Sequence, residues 1–478
     1  MTDTLHIQRY LGTASLGEAS RVGPDGFAPL FCGLGFLLTV ATFYPGLATP
    51  DALDQFRQGL TGHFSDWHPP IMALWWSVLD RVWPGPQPML LLQASGFWLG
   101  AYLLLDALPP TSRTVRWAAA LALLSPAILC CLGVIQKDTQ LTAAWALAAA
   151  WCFRRRAAGN EPGWMEKTAL LVLLGYGALL RQNSALVTGP LALYILSGRP
   201  VLARIWSTLA CYTAFAVVSV GLGTALNLLL DTDHTHVLRG LLNFDLAGIS
   251  LRSGSNVFPF GVSREEMQSI AGCYEGGLWH NNFVWGDCSF VWQRGLATPL
   301  SDGSYLHAWL AAIAQHPLAY AVHRLAYFLK FSGLVTLQPT RGFWTDGEPD
   351  IGLGFAVHHH ALFYALKYYV YAGLATPFLR VAFWLGASGA LAIWVLRGGI
   401  LQSARGSFAG AAAILSFLYI LSYLPFGLAP DFRYIHVAIV LTTFGAVATA
   451  EPLFEAAQRV WTGWRRPGGL PFRGEVQR

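Results

Sequence analysis

Runs of about 20 apolar residues recur along this chain, each long enough to cross roughly 30 Å of hydrocarbon. Inside a bilayer the backbone must satisfy its own hydrogen bonds, so such runs become helices. They fall near 27–45, 87–106, 115–134, 139–153, 168–180, 184–197, 205–230, 376–396, 407–428 and 435–452. Ten crossings predict an all-α polytopic membrane protein with both termini on one side. The composition agrees, with 54% hydrophobic residues, 19 Trp and 28 Phe against 12% charged. No cleavable signal peptide is expected, because the first 26 residues are polar and lack an apolar core before Phe27.

The formal charge of +5 does not suggest a nucleic-acid ligand, because the basic residues are spread over loop ends. Arg113, Arg116, Arg154, Arg155, Arg156, Lys167, Arg199, Arg204, Arg397 and Arg405 fall on the side of the termini, with Arg9, Arg21, Arg459, Arg465 and Arg466. The positive-inside rule makes that side cytoplasmic. Residues 1–230 then read as an N-terminal transmembrane module whose first external loop is 46–86. Residues 231–375 read as an external cap, 376–462 as C-terminal transmembrane helices and 463–478 as a disordered cytoplasmic tail. Within the first loop, residues 69–84 are apolar but short, and predict a helix lying on the outer leaflet.

This orientation gathers the unusual polar residues on the outer face. Residues 51–70, DALDQFRQGLTGHFSDWHPP, follow the first apolar run and hold three carboxylates, Asp51, Asp54 and Asp66. A carboxylate at a membrane surface must be hydrated, paired or working. Asp51 has a structural alternative, because Thr49-Pro50-Asp51 makes a plausible helix start. The same face carries Gln136-Lys137-Asp138 at the entry of the fourth run, Leu180-Arg181-Gln182-Asn183 between the fifth and sixth, and Asp431-Phe432-Arg433-Tyr434 before the last. Cys273 and Cys288 share the large external loop, where they either pair in an oxidising compartment or stand as two unrelated thiols. Two tracts suggest metal ligands, His358-His359-His360 and Asp231, Asp233, His234 and His236, although a solvated loop explains either.

Four of these pieces, in order, resemble the GT-C superfamily of polyprenyl-phosphate-sugar-dependent glycosyltransferases. The protein O-mannosyltransferase and aminoarabinose-transferase branch is the nearest likeness. In that branch the first external loop has an acidic residue, then Gly-Asp-Trp about sixteen residues on, then Lys- or His-Pro-Pro. Here Asp51, Ser65-Asp66-Trp67 and His68-Pro69-Pro70 stand in that order. The branch commonly has Asp-Glu at the first position, where this chain has Asp51-Ala52; Asp54, one turn on, is the candidate substitute.

The resemblance implies a bacterial inner-membrane enzyme, inverting, with its site at the periplasmic surface. Its donor would be a polyprenyl-phosphate-linked sugar and its acceptor a periplasm-facing glycan, lipid or protein. Asp51 would be the general base, with Asp54 and Asp66 beside it. Arg181 and Arg433 would bind donor phosphate through the guanidinium fork, with Lys137 and His68 assisting. Snorkelling to headgroups is the structural alternative for the three cations. A structural hydrogen bond or a metal ligand is the alternative for His68. Asp138 would bind acceptor or metal, pair with Lys137, or cap its helix. The cofactor stays unassigned, with a divalent cation such as Mg or Mn compatible. A flippase or transporter of lipid-linked sugars is the rival class, as is a polymerase or ligase using a lipid-diphosphate donor. Transporters place ionisable groups near the midplane and use repeats, whereas these polar groups sit at span ends and no repeat is visible.

Overall fold

In a computed structural model, residues 26–108, 113–275, 280–297, 301–334, 342, 344–347, 352–355 and 359–453 are described. The first 25 residues, the 463–478 tail and His358, on which expectations were placed above, lie outside them. The described chain is built of helices, with one two-stranded parallel pair.

Three described helices are long and apolar enough to cross a membrane: Gln87–Asp106, Ile205–Leu229 and Ala404–Phe426. Val115–Leu123 and Pro126–Leu132, which meet at 43°, make a fourth if taken as one bent span. Ile205–Leu229 buries only Thr208. It packs on one side against Gly189–Ser197 and Gln182–Ala185, and an apolar helix left uncovered over the rest of its surface presents the face that lipid covers.

The remaining runs fold into shorter pieces, for local reasons. The 184–197 run is split into Gln182–Ala185 and Gly189–Ser197, with Pro190 in the first turn of the second, where its missing N–H is tolerated. The 376–396 run starts late, as the helix Val381–Arg397, because Pro377–Leu379 forms a 3₁₀ turn ahead of it. The 435–452 run becomes His436–Ala448 behind a 3₁₀ turn at Phe432–Ile435. Lys137–Ala157 has 21 residues, but its ends carry Lys137, Asp138 and three arginines.

The helices of the trunk close tightly through small residues. Gly96 and Gly100 of Gln87–Asp106 face Lys137–Ala157, where added Cβ atoms would lie 3.2 Å from the Cβ of Ala143 and from the Ala146 carbonyl. Small residues four apart let two backbones approach, the usual glue of helices in lipid.

Above the trunk, Leu238–Ser253 is the axis of the 231–375 region and is buried along most of its length. Arg264–Glu275, Phe290–Ala297, Asp302–Gln315 and Pro317–Ser332 surround it. Its Asp245 is fully buried and paired with Arg324 at 2.6 Å and His323 at 2.8 Å, and it accepts from Trp309 Nε1 at 2.8 Å. A carboxylate is tolerated there because each oxygen is satisfied. Cys273 and Cys288 are joined by a disulfide. Most of the buried apolar residues of cap and trunk form one continuous core, and Leu391, Ala392, Val395, Ala409 and Ala413 form a second, smaller cluster.

Candidate active site

The parallel pair sets the site. Leu47–Ala48, from the first external loop, pairs with Val134–Ile135 in the register Leu47 to Val134 and Ala48 to Ile135. Gly46 has φ +127° and lies against Ile135, so both its backbone and its lack of a side chain are required there. Two residues beyond each strand the chain turns into a helix, Pro50–Thr61 on one side and Lys137–Ala157 on the other. Asp51 and Lys137, far apart in sequence, therefore start two adjacent helices.

Thr49 is the cap of Pro50–Thr61, since its side chain accepts from the Ala52 N–H and Pro50 fills the first helical position. Asp51 is not the cap. Its carboxylate, 30% exposed, accepts from Arg433 Nη2 at 3.2 Å and faces His68 Nε2 at 3.7 Å. Lys137 Nζ donates to His68 Nδ1 at 2.6 Å, which leaves the His68 proton on Nε2, towards Asp51. Arg433 Nη1 also donates to Gln136 Oε1 at 3.1 Å, and its Nε lies 3.5 Å from Asp431. A cavity of about 710 Å³ opens on Asp51, Asp54, His68, Gln136, Asp431 and Arg433, with Trp67 and Trp285 among its other walls.

The electrostatics follow from this packing. Burial works against the Asp51 carboxylate, but His68, Lys137 and Arg433 outweigh it and hold the group well below the ordinary carboxylate range. Burial and then the Lys137 ammonium push His68 below its ordinary 6.5, so it is neutral at pH 7. Burial raises Asp431 despite Arg433 beside it.

The other candidates separate. Asp54 is exposed and accepts from Gln58 Nε2 at 2.7 Å, which also holds Ser65. Asp66 lies outside the cavity wall. Its Oδ1 accepts from the Thr235 N–H at 2.7 Å and Oγ1 at 2.5 Å, tying the first loop to the start of the cap. The catalytic place expected for Asp66 is thus taken by a structural one, fixed by contacts 169 residues away in sequence. Arg181 is likewise diverted from the cavity. It is bound to Asp138 and lies over the Tyr434 ring, 4.2 Å from its centroid. Asp138 is 2% exposed, and its second oxygen has no hydrogen-bond partner. The pair secures the Lys137–Ala157 helix to the break before Gln182.

Among the described residues, no group of three or more His, Cys, Asp or Glu is placed to hold a metal ion. His234 is spent on Asp66, His236 on Asp302, His359 on the Asp346 carbonyl and His360 on the Ala41 carbonyl. Gln136 and the cap residues Thr235, Asn281 and Trp285 were not legible as site residues. Gln136 had a signal, standing directly before Lys137; the others become neighbours of Asp51 only through the fold. No family model matches this chain, and neither a curated protein nor a solved structure matches it.

Proposed function

We propose that this protein is a membrane glycosyltransferase that moves a sugar from a polyprenyl-phosphate donor to a hydroxyl on a periplasm-facing acceptor. The observation that carries the reading is the Asp51 carboxylate, which shares a cavity with Arg433 and His68, with Lys137 behind them on the far nitrogen of His68. In the proposed step Asp51 takes the proton of the acceptor hydroxyl as its oxygen attacks the anomeric carbon. The bond from that carbon to the phosphate oxygen breaks, inverting the centre. Arg433 takes up the charge left on the phosphate, and the Lys137 ammonium behind His68 adds to the positive field. Together with His68, these two cations hold Asp51 ionised. A phosphate that engages Arg433 draws it off the carboxylate and raises the basicity of Asp51 when the donor is in place.

The membrane arrangement belongs to the same proposal: about ten crossings, both termini in the cytoplasm of a bacterial inner membrane, and the cavity on the periplasmic side. Two features support it. The Cys273–Cys288 disulfide lies in the cap, as an oxidising compartment favours. Arg154, Arg155 and Arg156 lie at the opposite end of Lys137–Ala157 from its cap residue Gln136, which lines the cavity.

The test is Asp51→Asn in purified protein. Because Thr49 is the cap, the substitution leaves that cap intact. Transfer should fall by roughly 10²–10⁴-fold, the usual share of a general base, with polyprenyl-phosphate binding retained. Near-normal turnover by folded Asp51→Asn removes Asp51 as the base.

A further inference from the structure

The rim of the cavity carries an aromatic surface that the proposed transfer step does not use. Trp285 is 63% exposed and lines the cavity. Its ring meets that of Trp67 edge to face, with centroids 4.9 Å apart, and Trp67 in turn meets Trp292 at 5.8 Å. Three indoles from two distant pieces of chain thus form one shelf, and the outermost keeps most of its surface open.

The shelf is rigid. The Trp285 N–H donates to the Asn281 carbonyl at 2.9 Å, and Asn282 Nδ2 donates to the Cys273 carbonyl at 2.9 Å. The disulfide at Cys288 closes the same turn. Such an indole presents a large contact area at little cost in conformational entropy.

Polar groups share the cavity with it. Asp287 and Gln293 are exposed beside it in sequence, and Asn281, Thr235, Ser65 and Asp54 line the cavity around it. A tryptophan anchoring a helix in the bilayer has apolar neighbours on one side and headgroups on the other. An open indole face on a cavity that also carries amide, hydroxyl and carboxylate groups instead suits a ring that is apolar on its flat C–H face and polar at its hydroxyl edge.

We infer that Trp285, backed by Trp67, is the acceptor platform, and that the acceptor is a saccharide whose ring stacks on the indole while its hydroxyls meet Asn281, Thr235 and Asp54. The inference rests on the proposed transferase reading and names its acceptor class. It favours a glycan over a protein or lipid hydroxyl. The cavity is of a size that holds a ligand of several rings.

The experiment uses the full chain in lipid nanodiscs, with maltotriose, mannotriose and galactotriose as probes in saturation-transfer NMR. At least one trisaccharide should receive saturation at its ring C–H protons. Trp285→Ala should weaken that binding by roughly tenfold or more, and Trp285→Phe should restore most of it. Equal binding by Trp285→Ala overturns the platform. So does quenching of Trp285 fluorescence by brominated lipid but not by iodide, which would make it a membrane anchor. Decaprenyl phosphate, titrated in parallel, separates the two readings. If it binds and no trisaccharide does, the platform fails while the donor reading stands. If trisaccharides bind through Trp285 and decaprenyl phosphate does not bind, the platform stands and the donor reading fails.

Discussion

Asp51 and His68 carry opposite protonation demands within 3.7 Å, and Lys137 satisfies both. It stabilises the Asp51 anion through space and donates to a neutral imidazole. Both groups have folded pKa values below their ordinary ones. An unfolded chain therefore binds the extra protons first as pH falls, and both contributions to stability shrink on acidification. For His68 the loss starts as pH drops through the ordinary 6.5; for Asp51 it starts near 3.8. We expect the pH–rate profile to stay flat through 6.5 and to bend only below it. In Lys137→Met, which removes one of the influences lowering His68, the bend should move up in the residual activity. A wild-type bend centred on 6.5 would show His68 titrating normally. Asp51, His68 and Arg433 were legible in the sequence because each belongs to a short polar cluster beside an apolar run. The pairing of Arg181 with Asp138 was not, since an ion pair 43 residues apart in sequence depends on how two helices lie together. Nor was the cap: Thr49 and Asp51 are both good cap residues, and only the start of the helix decides between them.

The stretch that carries Asp431 and Arg433 has no regular structure until Phe432, yet it is held firmly. Three successive carbonyls are bound by the cap. Arg324 Nη1 donates to Gly427 at 2.8 Å, the His280 N–H to Leu428 at 3.0 Å and Tyr327 Oη to Ala429 at 2.8 Å. Tyr327 comes from Pro317–Ser332, PLAYAVHRLAYFLKFS, whose aromatic and basic pattern on its own reads as a helix at the membrane surface; in the structure His323, Arg324 and Tyr327 are buried. Amphipathic spacing could not separate the two, because a basic side chain that meets a buried carboxylate looks in sequence like one that meets headgroups. Tyr327 thus acts as a positioning residue for Arg433. Tyr327→Phe leaves the Ala429 carbonyl unpaired and should cost about 1–3 kcal/mol of stability. It should lower kcat roughly tenfold with donor KM little changed, as expected when an interaction specific to the transition state is loosened. In an Arg433→Gln background the same substitution should have almost no further effect on kcat. Additive losses would mean that Tyr327 supports the fold and not Arg433.

For the chain taken together, the apolar runs gave a sound account of helix content and a poorer one of helix length. Gln87–Asp106 and Ala404–Phe426 match their runs closely because no proline or charge interrupts them before their ends. The runs containing Pro126 and Pro190 are bent or split there, and an apolar window alone does not register a missing N–H. The orientation is open to a direct check. Ser65→Cys and Asp302→Cys in intact cells with a permeabilised outer membrane should react with a membrane-impermeant maleimide. Reaction only after the inner membrane is lysed would place the cavity on the cytoplasmic side.

The backbone clip between Leu47–Ala48 and Val134–Ile135 has a mechanical consequence. Helices in a bilayer tilt and slide as its thickness changes with lipid composition, growth temperature or curvature. Were Asp51 and Lys137 carried only by their separate helices, their spacing would follow those movements. Stitched by four residues of paired main chain, the two helix starts shift as one body. The spacing of Asp51 and Lys137 is thereby insulated from the elasticity of the membrane around it, so that, on the proposed reading, a cell can remodel its lipids without detuning the site.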